Sequence, residues 1–250
     1  MIFRQLFEPD SSTYTYLLAC ERTGEGVLID PVIDAVDRDC ELLRALGITL
    51  AFTLETHIHA DHLTGARALK AKLGSRIAAP RMGAASCVEV GVEEGRPFRV
   101  GDIVLHPVHT PGHTAAHHAY VQDQESATRV FTGDVLLIDG CGRTDFQGGD
   151  SRALFHSVHD KLFSMADETL VYPAHDYANR QVSSIGQEKR RNARLGGGRD
   201  EEAFVTLMAG LRLPYPRRMT FAVPGNEACG QCPPDAPEEY KERCARHDQG

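Results

Sequence analysis

The sequence predicts an α/β fold of sheets covered by helices, because runs of β-forming residues alternate with amphipathic helical patterns between residues 13 and 211. Two further observations agree with it. Candidate helices end at glycines, as at Gly47 and Gly74. Hydrophobic residues at 42% and charged residues at 25% allow a substantial core. A chain of 250 residues suits one large domain or a domain with an appendage.

Residues 13–19 and 26–30 read as strands around a glycine-containing turn. Residues 34–46 read as a helix with Val36, Leu42, Leu43 and Leu46 facing inward, and 48–55 as a short strand that runs into a histidine-rich segment. A second helix over 65–73 leads to a strand at 76–79, and the alternation over 98–109 suits one or two strands. Residues 117–121 and 129–132 resemble a strand pair around a polar turn. Leu154, Val158 and Leu162 share one face of a helix expected over 151–165, followed by a strand at 169–172. Helices are expected over 182–194 and 200–211, separated by a flexible turn at glycines 196–198. From Pro224 the Pro- and Cys-rich chain reads as irregular coil, which divides the molecule into a catalytic domain at 1–225 and a tail at 226–250.

Charge excludes one class of function. With 27 basic and 35 acidic residues the net charge is −8, so no cationic surplus exists to neutralise phosphates and a general nucleic-acid binder is not expected. No run approaches the ~18 apolar residues of a membrane span. Arg4, Glu8 and Asp10 interrupt the apolar stretch that a signal peptide needs. Seven cysteines (Cys20, Cys40, Cys87, Cys141, Cys229, Cys232, Cys244) are odd in number and scattered, which fits a reducing, cytoplasmic compartment.

Twelve histidines are the compositional oddity. The densest group is Thr56-His57-Ile58-His59-Ala60-Asp61-His62, where an expected strand gives way to an expected helix. In extended backbone, residues two apart point to one side, so His57 and His59 can converge while Asp61 and His62 turn in from the loop. Imidazole with carboxylate suits zinc, iron or manganese. His113 lies in Thr110-Pro111-Gly112-His113-Thr114, Asp134 closes Val130-Phe131-Thr132-Gly133-Asp134, and His175 ends Val171-Tyr172-Pro173-Ala174-His175. Each follows an apolar strand-like run, and strand ends are where an α/β sheet places its chemistry.

The order HxHxDH, GHT, GD and a late histidine resembles the metallo-β-lactamase superfamily. That resemblance implies an αββα sandwich with a metal site along one sheet edge. Within it, FRQLFEPDSSTYTYLL, THIHADH, TPGHT, FTGDVLLIDGCGRTDFQGG, YPAHDY and FAVP are similar to the persulfide dioxygenases, a likeness that covers residues 2–225. The block Gly140-Cys141-Gly142-Arg143-Thr144-Asp145-Phe146 discriminates best. Glyoxalase II shares the GCG but is not expected to continue with RTDF.

The resemblance implies one iron(II) per chain, held by His57, His113 and Asp134 as a facial triad with open positions. It assigns His59, Asp61, His62 and His175 to catalysis as hydrogen-bonding groups that shape the site. In the alternative, a glyoxalase II-like thioester hydrolase, His57, His59 and His113 hold one metal, and Asp61, His62, Asp134 and His175 hold a second. All seven residues are present, so the ligand inventory fits either occupancy.

The reaction so implied takes glutathione persulfide, O2 and water to sulfite and glutathione. Two glutathione carboxylates call for guanidinium and hydroxyl partners, for which Arg143, Tyr177 and Arg194 are the candidates. Arg143 and Asp145 could instead pair with each other, and Cys141 reads as a buried inert thiol. Some family members are fused to a rhodanese, for which this chain leaves no room, so a separate rhodanese or sulfide:quinone oxidoreductase is an expected source of substrate. Family members are often homodimers. The Cys229-Gly230-Gln231-Cys232 motif with Cys244 falls short of the four ligands of a structural zinc site, and a mobile, partly oxidisable tail is expected. A metal-bound redox sensor that uses this CxxC is the reading from a different class.

Overall fold

The computed structural model describes residues 1–82, 85–123, 127–178 and 180–247. The chain forms two compact units, one of Met1–Val92, Arg99–Ile103 and Tyr215–Gly250, the other of Glu93–Phe98 and Val104–Pro214.

The first unit carries a six-stranded sheet in sequence order: β1 (Ile2–Glu8), β2 (Thr13–Ala19), β3 (Glu25–Ile29), β4 (Thr49–Leu54), β5 (Arg76–Pro80) and β6 (Val90–Val92). β1, β2 and β3 pair antiparallel, then β3 to β6 run parallel, with helices α1 (Val36–Leu46) and α2 (Ala66–Leu73) as crossovers. β2 is buried along its whole length, which explains its continuous apolar and hydroxyl-bearing run. β1 was not among the expected strands because Arg4 and Glu8 dilute its pattern. It is an edge strand, and pairing with β2 from Ile2↔Ala19 to Glu8↔Thr13 defines it. Gly47 and Gly74 stop α1 and α2 in the left-handed conformation, as their sequence positions require.

The second sheet runs β12-β11-β10-β9-β8-β7. Its strands are β7 (Phe98–Val100), β8 (Ile103–His109), β9 (His118–Gln122), β10 (Arg129–Gly133), β11 (Leu170–Pro173) and β12 (Ser183–Ser184). The expected pair at 117–121 and 129–132 is the antiparallel pair β9–β10, and residues 124–126 of its polar turn lie outside the described residues. β10 and β11 run parallel. The helix expected over 151–165 is instead α3 (Ser151–His156) continued by a wider, π-helical turn at Ser157–Leu162. Leu154, Val158 and Leu162 are still fully buried, so the apolar face persists through the change. The Ser157 hydroxyl ties that turn to the Pro111 carbonyl at 2.7 Å, directly before the His113 segment. The helix expected over 182–194 shortens to α4 (Ile185–Arg191) because residues 183–184 are recruited as β12.

α5 (Glu201–Gly210) begins at Asp200, whose carboxylate accepts the Ala203 N–H at 2.8 Å. Asp200→Ala is expected to lower stability by about 1 kcal/mol, read from urea unfolding.

The irregular coil expected from Pro224 is corrected: the segment holds α6 (Met219–Glu227) and α7 (Glu238–Ala245). Pro224 lies inside α6, and proline and glycine density concealed the helix in the sequence. Phe221, Ala222, Ala236 and Tyr240 pack into the core with Leu17, Leu28, Leu43, Leu63 and Leu69, the Phe221 and Tyr240 rings 4.6 Å apart. Cys229 is disulfide-bonded to Cys87, a pairing that the scattered cysteine pattern did not suggest. Among the described residues, no helix is long and apolar enough to cross a membrane.

Candidate metal centre

In the first unit, two parallel strands deliver the chemistry at their carboxyl ends. Asp30 follows β3 in the left-handed region at φ +51, a conformation that costs a non-glycine residue energy and persists only where surroundings enforce it. Its carboxylate accepts the Thr56 N–H at 2.7 Å and the Thr56 hydroxyl at 2.9 Å. With its proton committed to Asp30, the Thr56 oxygen accepts from His57 Nδ1 at 2.9 Å, which leaves Nε2 of His57 as the unprotonated nitrogen. His57, His59 and His62 are all buried, and the His59 ring lies 4.1 Å from His57 and 4.3 Å from His62.

His59 also approaches acid. Its Nε2 stands 3.1 Å from Asp30 and 3.7 Å from Glu55. Burial alone would depress this imidazole, but the charges of Asp30, Asp61 and Glu55 outweigh it and raise the pKa to about 10. Burial, reinforced by Asp30, pushes Glu55 up to about 8. Asp61 stands 2.9 Å from His62 Nδ1, and Thr13 reaches the same nitrogen at 3.3 Å.

The second unit contributes His113, Asp134 and His175, from the segments that follow β8, β10 and β11. His113 Nδ1 donates to the Arg143 carbonyl at 2.8 Å, which fixes the tautomer and leaves Nε2 a lone pair, 3.6 Å from Asp134 Oδ2. His175 Nε2 stands 3.7 Å from Asp134 Oδ1. Asp134 is held from both sides by its backbone: its N–H donates to His117 Nε2 at 3.1 Å and its carbonyl accepts from Gly142 at 2.7 Å. Its Oδ1 is buried and, among the described residues, accepts no hydrogen bond. A buried carboxylate oxygen without a donor, facing imidazoles at distances too long for hydrogen bonds, fits a cation, so the His113, Asp134 and His175 cluster suits a metal ion.

The candidate substrate residues also fall in the second unit. Arg143 forms a bidentate pair with Asp145 at 2.7 and 2.8 Å, donates to the Pro214 carbonyl at 2.8 Å, and lies 4.3 Å over the Phe146 ring. Arg194 donates to the Cys141 carbonyl at 2.6 Å. Tyr177 is 77% exposed, its ring stacked on His175 at 6.1 Å. Cys141 is buried and its thiol pushed up to about 11, chiefly by desolvation, as suits the expected inert thiol. His156 is exposed on α3, where it pairs with Asp160, away from the buried histidines.

The metallo-β-lactamase superfamily profile matches residues 9–175. The human mitochondrial persulfide dioxygenase ETHE1 is 43% identical over 237 residues, 94% of this chain and 91% of that protein. The chain belongs to the persulfide dioxygenase family of the metallo-β-lactamase superfamily. A crystal structure of ETHE1 from Myxococcus xanthus superposes with a TM-score of 0.88 at 47% identity, covering 92% of this chain and all of that one. These likenesses bear out the expected α/β metallo-β-lactamase fold. A hydroxyacylglutathione hydrolase of Polaromonas, at 36% identity, matches over 68% of this chain and 64% of its own length. The persulfide dioxygenase likeness thus extends across more of the chain.

Asp30 and His117 carry no ligand motif of their own in the sequence. The first could be found as an acid that closes the apolar run Val27-Leu28-Ile29. The spacing of His117 demands no metal, and its contribution is to position Asp134 through the backbone.

Proposed function

We propose that the chain is a persulfide dioxygenase that converts glutathione persulfide, O2 and water to sulfite and glutathione at a single iron(II) held by His57, His113 and Asp134. The observation that supports it most is 43% identity, over 94% of the chain, with a protein named for that activity. The reaction GSSH + O2 + H2O → GSH + SO3²⁻ + 2 H⁺ takes four electrons from the terminal sulfur to O2. Iron(II) would supply open coordination positions at which O2 and the persulfide sulfur meet.

The chain's own residues orient and exclude. Asp30 acts through Thr56 on His57, and the Arg143 carbonyl acts on His113, so each ring presents Nε2 in a fixed tautomer. His59, Asp61, His62 and His175 line the site as hydrogen-bonding groups. A persulfide is more acidic than a thiol, so it arrives as an anion and needs no base to prepare it. Arg143 and Arg194 would take glutathione carboxylates and Tyr177 would cover the bound tripeptide. Three of the five Arg143 N–H donors are engaged by Asp145 and Pro214, which presents the guanidinium in one orientation. The cytoplasm is the proposed compartment, with a homodimer as the assembly and a separate rhodanese or sulfide:quinone oxidoreductase as the source of persulfide.

Oxygen uptake by iron-loaded protein on addition of glutathione persulfide tests the reading, with sulfite and metal assayed on the same sample. About one O2 per sulfite and about one iron per chain is the expected result. No uptake, with two metals per chain and thioester cleavage, would assign the protein to the glyoxalase II-type hydrolases. Arg143→Ala is expected to raise KM for glutathione persulfide roughly tenfold while kcat stays within about threefold, the signature of a lost charged contact to the substrate's remote end.

A further inference from the structure

The HxHxDH loop is held from an unexpected direction. Asn226, buried in α6, donates from Nδ2 to the carbonyls of His59 and His62, both at 2.8 Å, and accepts the Thr64 N–H on Oδ1 at 2.8 Å. One amide therefore satisfies three backbone groups of a segment that lies outside the named helices and strands and whose own backbone pairing is the bridge of Thr64 with Val32. The chain that follows Asn226 keeps this contact. The Cys229 carbonyl accepts from Arg67 N–H at 3.2 Å. A Cβ on Gly230 would stand 2.4 Å from the Thr64 carbonyl oxygen, and one on Gly225 would stand 2.8 Å from Leu63. Cys229 is itself tied by its disulfide to Cys87, in the segment between β5 and β6.

We propose that Asn226 is a positioning residue for the His57 loop, and that the Cys87–Cys229 disulfide seats the chain that carries it, so that small thiols loosen the loop. The inference rests on the iron reading only for its functional consequence. Cys87 is half-buried and Cys229 buried, so an incoming thiolate attacks Cys87 Sγ, forms a mixed disulfide there and expels the Cys229 thiolate. A second thiolate attacks the outer sulfur of that adduct and releases the Cys87 thiolate with one molecule of the small disulfide. Two thiols are oxidised, two cysteines are reduced, and both protons pass to the cysteines. A thiol of the glutathione class suffices as the reductant.

The test uses the intact chain. Non-reducing peptide mapping should recover Cys87 joined to Cys229. In metal-free protein, amide exchange over residues 59–67 is followed with and without glutathione, for wild type, Cys87→Ser and Asn226→Asp, the last of which keeps the acceptor and loses the donor. In iron-loaded protein, transfer to a chelator is timed for the same set, with Asp200→Ala as a variant destabilised elsewhere. Reduction, Cys87→Ser and Asn226→Asp should each speed loop exchange and iron release about tenfold, whereas Asp200→Ala should leave both unchanged. Glutathione should add nothing to Cys87→Ser. Unchanged exchange in the reduced protein, equal acceleration by Asp200→Ala, or absence of the Cys87–Cys229 peptide would overturn the proposal. Faster exchange in a chain that binds no iron would uphold the brace and refute the iron reading.

Discussion

Asp134→Ala is expected to reduce iron affinity more than about a hundredfold while the metal-free chain keeps its urea midpoint. The two readouts separate because Asp134 Oδ1 is buried and, among the described residues, accepts no hydrogen bond, so the fold gains little from the carboxylate that the proposed metal would require. In the proposed triad, the substitution leaves two imidazoles and no anionic donor for a divalent ion. Chelator competition and urea unfolding on one preparation check both halves. Near-normal iron content in the variant would refute Asp134 as a ligand.

Gly142→Ala should be nearly as damaging although residue 142 carries no functional group. A Cβ there would lie 2.5 Å from the Asp134 carbonyl oxygen and 2.8 Å from His113 Nδ1, closer than side-chain carbons approach such atoms. Both neighbours must move, and they are the backbone of one proposed ligand and the ring of another. A roughly tenfold to hundredfold loss of iron affinity is expected, with oxygen uptake lost in parallel. Gly140→Ala is the internal control, since a Cβ at 140 meets nothing within 4 Å. Equal loss in the two variants would show that the effect comes from loop flexibility and not from crowding of the centre.

Gly142 also shows how far the sequence could be read. The GCG block was recognisable as a motif, but that its second glycine exists to let a loop lie against His113 required coordinates. The strands with continuous apolar runs and the glycine-stopped helices α1 and α2 were legible because burial and the left-handed cap leave marks in composition. β1 and α6 were not, since edge pairing and tertiary packing override a mixed pattern and an internal proline. The strand-end histidines and Asp134 stood out through spacing. Asn226 could not, because it serves carbonyls 164 and 167 residues away and no local pattern encodes such a partner.

That separation has a consequence for how the protein is made. The loop that carries His57 leaves the ribosome early, but the amide that fastens it follows only after the whole second unit has been synthesised. During translation the three histidines of the loop therefore lack their final anchor, although the strands around them can already form. If the proposed ligands and the Asn226 brace hold, a rigid centre is expected only once Asn226 has been synthesised, well after the loop histidines.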